Sequence, residues 1–498
     1  MNYFIFFLAL LPIIVFIFFL FFRKTSLLVA SLWTLVTTSV LALVVWRIHF
    51  PVLFYSTARG SLVAFDIAII IIGAIFFLDV LKNLHTVEKV ARYLTFFSKD
   101  YRIQVLMLAW FFEAFLEGTA GFGTATAIVA PLLIGIGISP LRAVILALIG
   151  NSAPVVFGAV GAPIRVGFAD FDTSAMPLLA SAINLVGIVI PVFMAWFSVS
   201  GEKDRMTAFK EILPFSIFSG ISFGVCSFLA SFLGGEFPSV IGSIGGIVLS
   251  GIALHFGLFA PRHERVLKKQ DEAGSSRISF FKTFFPYFIL IAFLILGKIL
   301  LGNISFVVPF GINHKMSLFN PGLAFLLGGV LIALFLNNRW KNISTSFFDS
   351  LKRAWEPFMV IALISIAVKI MTSSSLNYSG LASFMEIMSK PLETSFLPLI
   401  APFVGMFGCF LTGSATVSNI MFGQFLYSAA GTVGINGTIV LVLSLVGASI
   451  GNMIALADIL ATEAVVDLKN KEREVVFAVL LPCLLCVGLV ALVGFFIF

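Results

Sequence analysis

Glu113 and Glu117 stand four positions apart in an apolar run, and Glu117 opens directly onto Gly118, Thr119, Gly121, Phe122, Gly123, Thr124 and Thr126. On a helix the two acids share a face. A charge at the centre of a membrane costs roughly 3 kcal/mol on insertion scales, and neighbouring carboxylates oppose each other's ionisation. One of the pair could therefore take up and release a proton near neutral pH, as a proton carrier must. Glu117, which touches the glycines, is the better placed. The alternative is an acid in a water-filled vestibule that never changes protonation. The glycines allow close backbone approach, the threonines add hydroxyls, and the N–H groups freed where a helix restarts can hold an anion such as a carboxylate. Gly413, Ser414, Thr416, Ser418 and Asn419 offer the same chemistry far along the chain. Helix packing through small residues is the competing explanation for each cluster.

The two clusters belong to a longer correspondence. FLEGTA begins at Phe115 and FLTGSA at Phe410, and each is followed by the tripeptide IGN, ending at Asn151 and Asn452. These asparagines either hydrogen-bond a ligand or bridge helices. The order of the shared words predicts two repeat units, with cores at 103–165 and 393–467. The first is approached from a basic segment and the second leaves towards one, so the units are expected to be inverted, as in transporters whose broken helices meet near the bilayer midplane.

What must position these residues is a membrane. The chain has 498 residues, 60% hydrophobic and 11% charged, with a mean hydropathy of +1.11. A soluble surface cannot be built from that composition. Apolar runs of about 18–25 residues recur, each enough to cross about 30 Å of hydrocarbon as a helix; a barrel would need only about 10 alternating residues per strand. The expected fold is an all-α polytopic membrane protein, a single transmembrane transporter domain over 1–498 with about 12–14 helices of the length a bilayer requires. The run 104–138 is too long for one span of about 20 residues, and its glycines predict two half-elements meeting at a break, or a re-entrant hairpin. The second such stretch is 396–429. The polar segment 261–282 is expected to be a cytoplasmic linker.

The net charge of +7 reads as retention of loops on the cytoplasmic side rather than as a nucleic-acid surface. The first apolar run, 3–22, is followed by Arg23 and Lys24, and reads as a retained span rather than a signal peptide. The four cysteines and five histidines show no redox or metal-ligand spacing, and no cofactor is expected. No phosphate-loop motif occurs, which argues against ATP-driven transport by this chain. Asp458 and Glu463 follow the second IGN and are candidates to face the cavity; Arg142 and Arg165 bracket the first IGN span, and either could attract an anion.

At FLEGTAGFGT (from Phe115), GIGISPLRA, LIGNSAPVVFGAVGAPI and FLTGSATVSNIMFG (from Phe410) the chain resembles the bacterial L-lactate permease family. The resemblance implies a secondary transporter of the inner membrane carrying a small monocarboxylate, lactate or glycolate, with a proton. It also implies charges that this chain lacks. Where the family has a proline after GFGT, an aspartate after the second Gly-Ser and a lysine after the later glycine, this chain has Ala125, Ala415 and Asn452. These departures leave sodium as an open coupling ion and an ion antiporter or dicarboxylate carrier as the alternative.

Overall fold

The computed structural model describes residues 3–121, 123–267, 280–302, 304–308, 314–335 and 340–497. Phe122 and residues 268–279 of the expected linker lie outside the described residues. The architecture is helical and membrane-spanning. Among the described residues ten helices are long and apolar enough to cross a membrane, or eleven if the bent pair Pro140–Asn151 and Ala153–Arg165 counts as one span. Among the shorter apolar helices, Thr124–Gly135 and Leu397–Thr412 supply half-elements expected within 104–138 and 396–429, and Pro321–Phe335 is a third short apolar helix. A short antiparallel ribbon pairs Ser305–Val308 with His314–Ser317, a local departure from the helical pattern.

An outer group of helices is built around Phe50–Asn83 and Trp340–Ser373, which pack on each other and on Leu27–Val44 and Pro321–Phe335. Each of the two central helices has 34 residues, about 51 Å at 1.5 Å per residue. That exceeds the hydrocarbon thickness of about 30 Å, so their ends stand outside it. Near one end Arg353 pairs with Asp79.

Two helical hairpins form the inner group. In the first, Tyr101–Leu106, a widened turn Met107–Phe112 and Glu113–Thr119 make the inbound arm, and Thr124–Gly135 the return arm. Both ends lie on one face: Tyr101 N–H donates to Arg265 O at 2.9 Å, and Gly137 abuts Leu267. In the second, Leu397–Thr412 leads in and Ala415–Val433 leads back, with Ser418 Oγ donating to Gly405 O at 3.2 Å between the arms. Its ends lie on the opposite face. Phe396 stacks on Phe495, at the far end of the last helix, Glu472–Ile497, from the basic 469–473 loop. Tyr427 on the return arm packs on Phe171, which follows the far end of the span that begins near Arg142. The long elements 104–138 and 396–429 are thus re-entrant, the second of the two possibilities left open above.

The IGN words mark where spans pack against hairpins and then break. Pro140–Asn151 gives way to a tight turn, Ala153–Phe157, and a 43° bend. Gly437–Gly451 gives way to Asn452–Ile454 and restarts as Leu456–Val465. A Cβ on Gly150 would stand 1.7 Å from Ala109 O in the first hairpin, and one on Gly451 would stand 2.7 Å from the Met406 backbone in the second. Only glycine permits such contact.

On the basic face, Arg102 ties the first hairpin to its surroundings. Fully buried, it donates to Asp100, Glu211, Ala208 O and His263 O. Arg265 extends the network to Glu202 and Asp204. The hydrogen bond from Arg265 pulls the Asp204 carboxyl down to about 2.

Two outcomes follow from this packing. Gly150→Ala forces a methyl into a backbone carbonyl, for which overpacking costs about 1–3 kcal/mol. The thermal midpoint of the detergent-solubilised protein falls by several degrees, whereas Gly488→Ala, with open space around it, leaves it unchanged. For Asp204 the folded-state carboxyl titrates below its ordinary value, so its contribution is complete above about pH 4. It is lost as pH falls towards about 2. The difference in midpoint between the parent and Arg265→Ala is therefore flat from pH 7 to about pH 4 and narrows below that.

Candidate functional site

The hairpin tips are turns that only particular residues can make. Gly121 and Gly123 have φ of +59° and +71°, and Gly413 has φ of +65°, in the left-handed region that glycine enters without steric cost. After each tip a helix restarts, at Thr124 and at Ala415. Its first N–H groups have no carbonyl one turn back to receive them. Ser414 caps the second restart, accepting from Val417 N–H at 3.4 Å, and Thr412 Oγ1 bridges Gly408 O and Ser414 O at 2.9 and 3.0 Å. Thr124 Oγ1 donates to Gly121 O at 2.8 Å.

The two tips meet at one cavity of about 30 Å³. Of the residues singled out from the sequence, Glu117, Gly121, Gly123, Gly413, Ser414, Thr416 and Asn452 line it. Asn151 stands beside Glu117. The remaining candidates are close but turned to other tasks. Glu113 is buried one turn away, and neither of its oxygens has a hydrogen-bond partner among the described residues. Gly118 lets the arm approach Ser239 and Val240. Thr119 Oγ1 donates to Phe115 O at 2.9 Å, and Asn419 Nδ2 to Pro163 O at 3.0 Å. Ser418 bonds to Gly405 O, so Thr119 and Ser418 close their own hairpins, whereas Asn419 ties the second hairpin to the cavity wall and leaves its Oδ1 without a partner among the described residues.

Two features were under-read in the sequence. Asp458, from the restarted helix after the second IGN, lies close enough to Glu117 for the two acids to repel. Its Oδ1 would be 2.6 Å from a Cβ on Gly123, so the acid sits over the first tip. A hydroxyl bond between Thr462 and Thr126 at 2.9 Å fixes that approach. The other feature is the wall after the first IGN. Gly158, Ala159, Ala162 and Pro163 line the cavity, and a Cβ on Gly158 would meet Glu117 Oε1 at 2.4 Å. The run GAVGAP was its signal: six small or rigid residues directly after a helix break.

Polar groups enclosed in protein are normally hydrogen-bonded. Here Glu117 Oε2, both Glu113 oxygens and both amide atoms of Asn151 have no such partner among the described residues. Nor does any ion pair reach Glu113, Glu117 or Asp458 there. The arrangement offers two acids, two amides and the helix start at Ala415 and Thr416 around one small space. It can bind an anion at the N–H groups and hold a proton on an acid beside it. Among the described residues no group of three His, Cys, Asp or Glu gathers as a metal site.

Comparison with known proteins gives the family. The family model for L-lactate permease matches residues 5–306 and 304–498. A putative L-lactate permease of Haemophilus influenzae is 30% identical, covering 78% of this chain and 79% of that protein. The L-lactate permease of Bacillus subtilis is 27% identical over 96% of this chain and 94% of its own length. The glycolate permease of Escherichia coli is 26% identical over 94% and 90%. With the family model matched along nearly the whole length, the chain belongs to the L-lactate permease family.

Proposed function

We propose that the protein is a secondary transporter, not an enzyme, that carries a small 2-hydroxy monocarboxylate of the lactate or glycolate type across the bacterial inner membrane together with a proton. The observation that carries this reading is the meeting of two re-entrant tips, from opposite faces, at one cavity beside Glu117. The units 103–165 and 393–467 act in it as inverted repeats, which supply two similar walls for alternating access. The names of the relatives support the substrate class.

The substrate carboxylate sits against the N–H groups at Ala415 and Thr416, where the second return helix starts, with the Ser414 and Thr416 hydroxyls and Asn452 available to its own hydroxyl. A cavity of about 30 Å³ holds no more than about two waters. It is the closed form of the site, and binding must draw the tips and the 158–163 wall apart. The proton resides on Glu117 or Asp458, with Glu113 in reserve behind them. An ionised acid about 5 Å from the carboxylate would repel it by about 3 kcal/mol at an effective dielectric of 20. Protonation therefore precedes substrate. One proton also cancels the substrate's charge, which would otherwise cost roughly 2.3 kcal/mol per 100 mV of opposing potential.

In proteoliposomes, labelled lactate accumulates when the outside is acidic, without sodium, and a protonophore abolishes the accumulation. Glu117→Gln abolishes accumulation driven by the pH gradient, yet exchange of lactate for lactate persists. Uptake indifferent to protonophore rejects proton coupling, and full accumulation by Glu117→Gln rejects that residue as the carrier.

Ala415 and Asn452 line the same cavity, at the two positions where the family resemblance implies an aspartate and a lysine. We infer that those two form a charge pair and that this chain has replaced both. An aspartate alone at Ala415 adds a third unpaired acid, and breaking a buried pair costs about 3–5 kcal/mol. Ala415→Asp thus abolishes lactate uptake, and Ala415→Asp with Asn452→Lys restores a substantial part of it. Equal uptake by the single and double variants removes the pairing.

A further inference from the structure

We propose that a separate vestibule on the face from which the second hairpin enters is a docking subsite for the substrate's carboxylate, held by Arg165. It deepens the transport reading and rests on it. The vestibule has a volume of about 390 Å³. Water's share of liquid volume is about 30 Å³, so an acid of about six non-hydrogen atoms fits there with part of its hydration shell. It does not fit in the closed central cavity.

Vestibule and central cavity share one wall. From the segment Gly158–Arg165, Ala159, Ala162 and Pro163 face the centre, while Val160, Gly161, Ile164 and Arg165 face the vestibule. Ala159, Val160 and Gly161 have φ of +42°, +51° and +80°. A β-branched residue at positive φ is a conformational outlier, and such strain concentrates where backbone must switch. A ligand docked at Arg165 therefore rests against the element that must move.

The pairing around Arg165 leaves it able to take a ligand. Four charged side chains line the vestibule: Arg165, Asp66, Lys298 and Glu236. Lys298 and Glu236 hold each other at 2.5 Å. Arg165 is held less closely. Its Nε and Nη2 reach Asp66 at 3.3 and 3.5 Å, and Nη2 donates to Phe319 O at 2.9 Å. Its Nη1 has no partner among the described residues. Asp66 is separately served by Asn320 Nδ2, at 3.0 Å to Oδ1. A second carboxylate can thus accept a charge-assisted hydrogen bond from the open Nη1, without displacing Asp66 or Phe319 O. The hydroxyls of Thr173, Ser174 and Ser317 on the vestibule wall suit a 2-hydroxy group. An amide or ester of the same acid has no charge for Arg165 and should not dock.

The test has two arms. In proteoliposome uptake, Arg165→Gln raises the KM for lactate at least tenfold with Vmax within twofold of the parent. Arg165→Lys recovers part of the affinity, and Asp66→Asn leaves KM unchanged or lower. An unchanged KM in Arg165→Gln, or a loss confined to Vmax, overturns the subsite. The second arm needs no transport. Ser174→Cys is labelled from outside by a membrane-impermeant thiol reagent, and lactate slows the labelling at least threefold whereas lactamide does not. Equal rates with both compounds overturn the proposal. Protection without any lactate uptake by the parent protein keeps the subsite and rejects the transport reading. Uptake with neither protection nor a KM change does the reverse.

Discussion

Backbone polar groups released inside hydrocarbon cost several kcal/mol each unless protein or water receives them, and the molecule is organised around the places where it releases them. The tips at Gly121–Gly123 and Gly413–Ser414 end one helix and start another without crossing the bilayer. Each tip is kept away from lipid by the other hairpin and by a broken span. Hydroxyls of Thr124, Thr412 and Ser414 absorb some of the freed groups locally. At the second helix start, Ala415 and Thr416 line the space where the tips meet. The proposed site for the substrate carboxylate is therefore a consequence of having two breaks that shelter each other.

Sheltering of that kind needs backbones in contact, which explains the glycines of the IGN words. Gly150 lies against Ala109 and Gly451 against Met406, so each broken span is pressed into a hairpin arm with no side chain between them. The asparagine that follows each glycine then falls beside the cavity, Asn151 next to Glu117 and Asn452 on the lining. Packing and chemistry are thereby set by adjacent residues of one tripeptide. The two halves meet directly through Thr126 and Thr462, and through Ser449 and Ser152 O.

The membrane-helical fold, the breaks and most of the cavity lining were legible in the sequence because hydropathy and glycine clustering are local signals. Glu117, Gly121, Gly123, Gly413, Ser414, Thr416 and Asn452 all carry that signal. Thr119, Thr124 and Ser418 carry it too, yet their hydroxyls bond to carbonyls of their own hairpins. Composition cannot tell a hydroxyl that caps its own helix from one that faces a ligand. Asp458 was visible only as an acid after a motif, since its approach to Gly123 depends on how two distant broken elements dock. The direction of each hairpin was equally hidden. Whether an arm returns or continues is decided by contacts such as Gly137 on Leu267 and Phe171 on Tyr427, which no periodicity encodes.

Charge is distributed from rim to centre in a way that fits passage of an acid with its proton. Towards the faces the membrane-adjacent acids have cations: Asp66 with Arg165, Glu236 with Lys298, Asp170 with Lys369 and Asp79 with Arg353. At the centre Glu113, Glu117 and Asp458 have none among the described residues. Cations at the rim lower the cost of bringing a carboxylate out of water, and they remain paired while it is absent. A fixed cation at the centre with no acid paired to it would do the opposite of what transport needs. It would bind the anion in a site of low dielectric, where the attraction is strongest, and would hold the nearby acids ionised. With the neutral Ala415 and Asn452 on the lining, the proposed attraction at the centre comes from helix-start N–H groups, whose partial charges hold an anion more weakly than a full positive charge. In the proposed cycle, release on the far side then requires only that the proton leave, because the acid it uncovers repels the carboxylate it had admitted.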